Sequence, residues 1–166
     1  MKHLTRHEVK WAFIFIVVAL LWMVFEKLMG WHGENIASHM MMTNIFAVFA
    51  IAIYVFALLE KRKVHYQGTM TWKEGFLSGL MMTIIITLLS PFSQLLTHYV
   101  ISPEYFPNAI AYAVASGNST QTEAEAYFNL NSYLIQFTIG ALVMGIVTSA
   151  IVAIFTRRKN TNLKAV

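Results

Sequence analysis

Four long apolar runs alternate with short polar segments along the 166 residues of this chain. They cover about Trp11–Met29, Met40–Leu59, Phe76–Tyr99 and Tyr133–Phe155. Each is close to the roughly 20 residues a helix needs to cross a bilayer. The core of the first, Trp11–Phe25, carries no polar side-chain group except indole N–H. The second is unbroken from Ile45, the third is the least hydrophobic, and the fourth contains no charge. None shows the two-residue alternation of a barrel strand, and lipid cannot satisfy the open backbone of anything but a helix. The pattern predicts an all-α polytopic membrane protein with four transmembrane helices.

The connecting segments are short, apart from one. Gly30–His39 and Glu60–Glu74 are brief links, whereas residues 101–132 form a sizeable extramembrane piece. It opens Ser-Pro-Glu-Tyr-Phe-Pro, where Pro103 and Pro107 forbid a continuous helix. Pro107 is suited to open a short helix, Asn108–Ser116, that ends at Gly117, with Ile110 and Val114 as its apolar stripe. Thr120-x-x-Glu123 fits a capping box and starts a second helix, expected to run without a break into the fourth span. This amphipathic piece is too small for a core of its own and belongs on the membrane–water interface or over the bundle. No internal repeat or linker is visible, so residues 1–166 read as one domain.

Composition strengthens the membrane reading and narrows the chemistry. Apolar residues make up 57% and charged residues 12%, with a mean hydropathy of +0.57. A soluble domain carries about 25% charge. There is no Cys, which excludes disulfides and thiolate sites, and all eight acids are Glu. Eleven of the twelve Lys and Arg residues fall on one side of the predicted spans: Lys2, Arg6, Lys10, Lys61, Arg62, Lys63, Lys73, Arg157, Arg158, Lys159 and Lys164. Only Lys27 falls on the other. By the positive-inside rule that side is cytoplasmic and both termini lie within. Trp11 and Trp72 then mark the inner boundary, and Trp31, Tyr99 and Tyr133 the outer one. The basic, then apolar N-terminus lacks a small-x-small cleavage site, so it reads as an uncleaved first span. The pI near 9.4 reflects this topology and contact with anionic lipid rather than a nucleic-acid groove.

Several stretches resemble a known family. They are Trp72-Lys-Glu-Gly-Phe, Ser102-Pro-Glu-Tyr-Phe, the Gly117 segment with its acidic helix, and the Gly-rich last span ending Ile-Phe-Thr-Arg-Arg-Lys159. Together they are similar to the domain-of-unknown-function 4199 family, small four-span membrane proteins found mainly in Bacteroidetes. The layout matches over nearly the whole chain, with the distinctive residues between about Tyr66 and Lys159. The resemblance implies a four-helix fold in a bacterial inner membrane. It brings no catalytic residues, cofactor or mechanism.

The clearest chemical pattern lies in the third span. Thr83, Thr87, Ser90, Gln94 and Thr97 recur at spacings of four and three, so they share one helical face. Gly75 and Gly79 extend that face inward, His98 lies beside its outer end, and Pro91 is expected to kink the helix. In the fourth span Ala141, Gly145, Ser149 and Ala153 make a small-residue ridge that allows close approach, with Gln136 and Thr138 polar in its outer half. One reading is packing between these two spans, with Thr87 and Gln94 buried in the bundle. The other is a solute path along the Thr83–His98 face. Glu26 and Lys27, at the outer end of the first span, are expected to snorkel to the headgroups, and Asn44 to serve helix packing or to lie at the interface.

A weaker motif is His39-Met40-Met41-Met42, where His39 and Met42 share a face and His32 or His98 could complete a Cu(I) site. No phosphate loop, His-Glu-x-x-His or nucleophile elbow is present, and Ser90 with His98 lacks an orienting partner, so an enzyme is not expected. The sequence therefore points to a non-catalytic accessory or assembly component acting through helix–helix contacts, without a cofactor. Its expected partners are the bilayer and a second copy or another membrane protein. The alternative is a small channel or transporter for a polar solute.

Overall fold

The computed structural model describes residues 6–158, so the expectations placed on Lys2, Lys159 and Lys164 lie outside the described residues. The architecture is helical throughout. Helix α1 covers Arg6–Leu28, and a 3-10 turn at Ile36–Ser38 leads into the single-turn helix α2, His39–Met42. A second 3-10 turn, Thr43–Ile45, passes into α3, Phe46–His65. Helix α4 is Trp72–Leu96 and ends in a wider π turn, Thr97–Ile101. Then come α5, Tyr105–Ala115, α6, Gln121–Tyr127, and α7, Leu130–Thr156. Four stretches are long and apolar enough to cross a membrane: Arg6–Leu28, Ile36–His65, Trp72–Ile101 and Leu130–Thr156. Leu21, Val48, Leu88, Phe92 and Phe155 stand exposed along them. Such surface is unfavourable in water and ordinary against lipid tails.

The element boundaries differ from expectation where short-range hydrogen bonding decides them. The second span starts at Ile36 rather than Met40, because the two 3-10 turns continue the helix backward. The third starts at Trp72 because Thr71 and Glu74 form a capping box. Thr71 Oγ1 accepts the Glu74 N–H at 3.3 Å, and Glu74 Oε2 accepts the Thr71 N–H at 2.7 Å. Pro91 does not interrupt α4. It lacks the N–H that would meet the carbonyl four residues back, Thr87, and the Ser90 hydroxyl donates to that carbonyl instead at 2.9 Å. Helix α5 starts two residues before Pro107, and Gly117, at φ +73°, follows its end. The capping box at Thr120 and Glu123 is present. The helix it starts does not run on into the last span. It stops at Tyr127, and Asn129 caps a new helix by accepting the Ser132 N–H on Oδ1 at 3.0 Å.

The packing falls into two compact units, each of which draws on several helices. The first comprises, among the described residues, 6–15, 48–86 and 140–158. The second comprises Ile16–Ala47 and Thr87–Ile139. In the first unit α3 ends in a left-handed turn at Gln67 and Gly68, with the Gly68 N–H bonded to the Arg62 carbonyl at 2.9 Å. Met70, fully buried beyond that turn, exchanges two backbone hydrogen bonds with Arg158, at 3.0 and 2.8 Å. These fasten the α3–α4 link to the end of α7. In the second unit α5 packs against α6 and against the turn Ile36–Ser38.

Candidate functional site

In the first unit the small-residue positions of α4 and α7 interlock in antiparallel register. A Cβ added at Gly75 would lie 3.3 Å from Ala153 Cβ, and one at Gly79 would lie 2.7 Å from Ser149 Oγ. One at Gly145 would fall on the Thr83 side chain. Thr83 and Ser149 are completely buried. Each hydroxyl has one proton to give. Thr83 donates to the Gly79 carbonyl at 2.9 Å and Ser149 to the Gly145 carbonyl at 2.6 Å. The buried Tyr54 of α3 then donates its phenol proton to Thr83 Oγ1 at 2.8 Å. Ala141 lines a cavity of about 80 Å³ beside this seam, whose other walls include Phe15, Tyr54, Ile86 and Met144.

The rest of the predicted polar face does not join that seam. In the second unit Ser90 is occupied by the Thr87 carbonyl, and Thr97 donates to the Ser93 carbonyl at 3.0 Å. Thr87 Oγ1 is buried and makes no hydrogen bond. Gln94 is half-exposed rather than buried, and Gln136 is exposed. His98 packs its ring against Tyr99 and Phe106, at centroid distances of 4.6 and 4.9 Å. A helical face defined by spacing is wider than the strip a neighbouring helix covers, which leaves these groups to bond locally or to stand open.

The first unit also buries an ion pair. Lys61 Nζ lies 2.7 Å from Glu8 Oε1, and the Ser78 hydroxyl donates to the same oxygen at 2.6 Å. Both charged side chains are about 95% buried or more. His7 Nε2 meets the Ala57 carbonyl at 3.0 Å, and its ring packs edge-on against His65. Lys61 is one of four Lys and Arg residues the sequence places in the link Glu60–Glu74. Glu8 draws it in.

The second unit contains the densest chemistry of the described residues. Gly30, at φ +75°, reverses the chain after α1, with the Trp31 N–H bonded to the Glu26 carbonyl at 3.0 Å and the Asn35 N–H to the Gly30 carbonyl at 2.8 Å. Left-handed backbone of this kind favours glycine. The turn folds His32 back onto Glu26, and the 3-10 turn at Ile36–Ser38 delivers His39 to the same place. The Asn108 side chain of α5 holds the His32 carbonyl at 2.9 Å.

Glu26 is fully buried. Its Oε1 accepts the Trp22 indole N–H at 2.5 Å, while its Oε2 lies 3.0 Å from His32 Nε2 and 3.6 Å from His39 Nδ1. His32 Nδ1 is 2.7 Å from Ser102 Oγ, which is also buried. His39 Nδ1 is buried without a hydrogen bond. Leaving such a group unmade costs about 1–3 kcal/mol. Tyr105 sets its ring within 5.2 Å of both imidazoles, edge-on to His32 and tilted to His39, and shares a hydrogen bond with Tyr133 at 3.0 Å. Burial pushes the Tyr105 phenol above its ordinary range, so it stays neutral.

Glu26, His32 and His39 each offer one ligand atom, and the three atoms lie within 4.8 Å of one another. Two of the residues weighed in the sequence, His39 and His32, do meet. The third member is Glu26 rather than Met42 or His98. Met42 is half-exposed, and His98 is committed to Phe106. The expectation that Glu26 snorkels to the headgroups is overturned, because the turn at Gly30 closes over it. The signal available in the sequence was Trp22 one turn before Glu26 on a common face, followed by two histidines within thirteen residues.

Fold and packing together define a four-span helical membrane protein. The family described as "Protein of unknown function (DUF4199)" matches residues 10–158, and the chain belongs to it. No curated protein and no solved structure gives a significant match.

Proposed function

We propose that the chain is a non-catalytic component of a bacterial cytoplasmic membrane, working through helix–helix contacts with a second membrane protein or a second copy of itself. The observation that carries this reading is the closed seam around Thr83. Its hydroxyls each donate to a carbonyl of their own helix, a tyrosine seals it, and the adjoining 80 Å³ cavity is walled largely by apolar side chains. A solute path along this face would need water there. Ser90 is committed to the Thr87 carbonyl and His98 to the Phe106 ring, which supports a role without catalysis.

Charge placement supports cytoplasmic termini. Of the nine described Lys and Arg residues, eight belong to the unit that includes the two ends, and Lys27 alone belongs to the other. In Thr83→Cys and Ser149→Cys variants, a membrane-impermeant thiol reagent should react slowly from either side. Rapid labelling would favour the channel or transporter reading instead. A reporter active only in the periplasm, fused after Arg158, should be silent; activity there would reverse the orientation.

A further inference from the structure

We propose that Glu26, His32 and His39 form a binding site for one divalent transition-metal ion of the Zn²⁺ class. The inference is independent of whether the protein is an accessory component. Two imidazoles and one carboxylate are a donor set that Zn²⁺ takes, with a fourth position left to water. Tetrahedral coordination with bonds of about 2.0–2.2 Å places ligand atoms about 3.4 Å apart. The separations from Glu26 Oε2, 3.0 Å to His32 Nε2 and 3.6 Å to His39 Nδ1, bracket that value.

The surroundings suit a bound cation. Ser102 Oγ, 2.7 Å from His32 Nδ1, is placed to accept the N–H of that nitrogen while Nε2 faces the ion. A hydrogen bond behind a ligating imidazole fixes its tautomer and orientation. Trp22 does the same for the carboxylate by holding Oε1 and leaving Oε2 for the ion. His39 Nδ1 is the buried nitrogen with no hydrogen bond, and a metal gives it a partner.

A cleft of about 420 Å³ lies beside the site and reaches His32 and Ser102, and Glu34 and Glu104 line it together with Lys27. Its acids attract a cation toward the His32 side of the site. Met-rich Cu(I) chemistry is not what this geometry offers, since the third donor is a hard carboxylate oxygen.

The test uses the full chain in detergent, stripped with a chelator and titrated with Zn²⁺, with Co²⁺ as a spectroscopic probe. One equivalent should bind, and Co²⁺ should give the visible absorption of a tetrahedral site. His39→Ala removes a nitrogen that bonds to nothing else, so the variant should fold while losing at least about 100-fold in affinity. Ser102→Ala should lose about tenfold, as removal of a hydrogen bond behind a ligand does. His65→Ala, which alters the separate pair formed with His7, should bind like the parent. Zn²⁺ should also raise the unfolding midpoint of the parent and not that of His39→Ala. Failure of the folded parent to take up Zn²⁺, or undiminished affinity in His39→Ala, would overturn the proposal.

Discussion

Gly145 is the point where the seam between α4 and α7 is tightest, and replacing it with alanine has a calculable result. Alanine is the better helix former by about 0.8–1.0 kcal/mol, so helix propensity alone predicts a gain. The new methyl group, however, would overlap the Thr83 side chain, which is fully buried. Overpacking of this sort costs about 1–3 kcal/mol. If Thr83 turns away, it loses its bonds to Tyr54 and Gly79, and side-chain hydrogen bonds between membrane helices average about 0.6 kcal/mol each. The balance is a loss of about 1–3 kcal/mol. Gly140 lies on the same helix with open space where a Cβ would go, so Gly140→Ala should be neutral or stabilising. Reversible SDS-driven unfolding in mixed micelles, followed by tryptophan fluorescence, measures both. Adding Thr83→Ala to Gly145→Ala removes the overlapping atoms, so the double variant should be less destabilised than the two single changes summed. If Gly145→Ala proved as stable as Gly140→Ala, the close approach of α4 and α7 would be wrong.

The same assay reaches the buried ion pair. Lys61→Met leaves the Glu8 charge buried opposite an apolar group and should cost about 3–5 kcal/mol, whereas Glu8→Leu with Lys61→Met should recover most of it. Ser90→Ala should cost about 1 kcal/mol by exposing the Thr87 carbonyl that Pro91 cannot serve, and less than that in a Pro91→Ala background, where the backbone N–H is restored. In α6, the Thr120 backbone and hydroxyl bonds hold the Glu123 carboxyl below its usual range. A depressed folded value means stabilisation above the ordinary carboxylate range that disappears as pH falls through the lowered value. Relative to the intrinsic exchange rate at each pH, protection of the amides at the start of α6 should therefore fall in acid, and in Glu123→Gln that pH response should vanish.

Much of this protein is legible in its sequence because lipid leaves the backbone little choice. Any run of some twenty apolar residues must satisfy its own N–H and C=O groups, so the four spans follow from composition alone. The capping box at Thr120 and the glycine that follows α5 are likewise local, since the bonds that make them lie within a few residues. The small-residue repeats of α4 and α7 already implied close packing, because their four-residue spacing fixes a ridge on each helix. What the sequence left open is which groups from distant segments share a volume. Spacing placed Thr83 and Gln94 on one face, but only the partner helix decides that Thr83 is sealed and Gln94 is not. Glu26 looked like a terminal charge free to reach water. The turn at Gly30 and the return of Ser102, seventy residues after His32, enclose it with two imidazoles. Burial and mutual approach are properties of the packed chain, and they turn separate polar residues into a site.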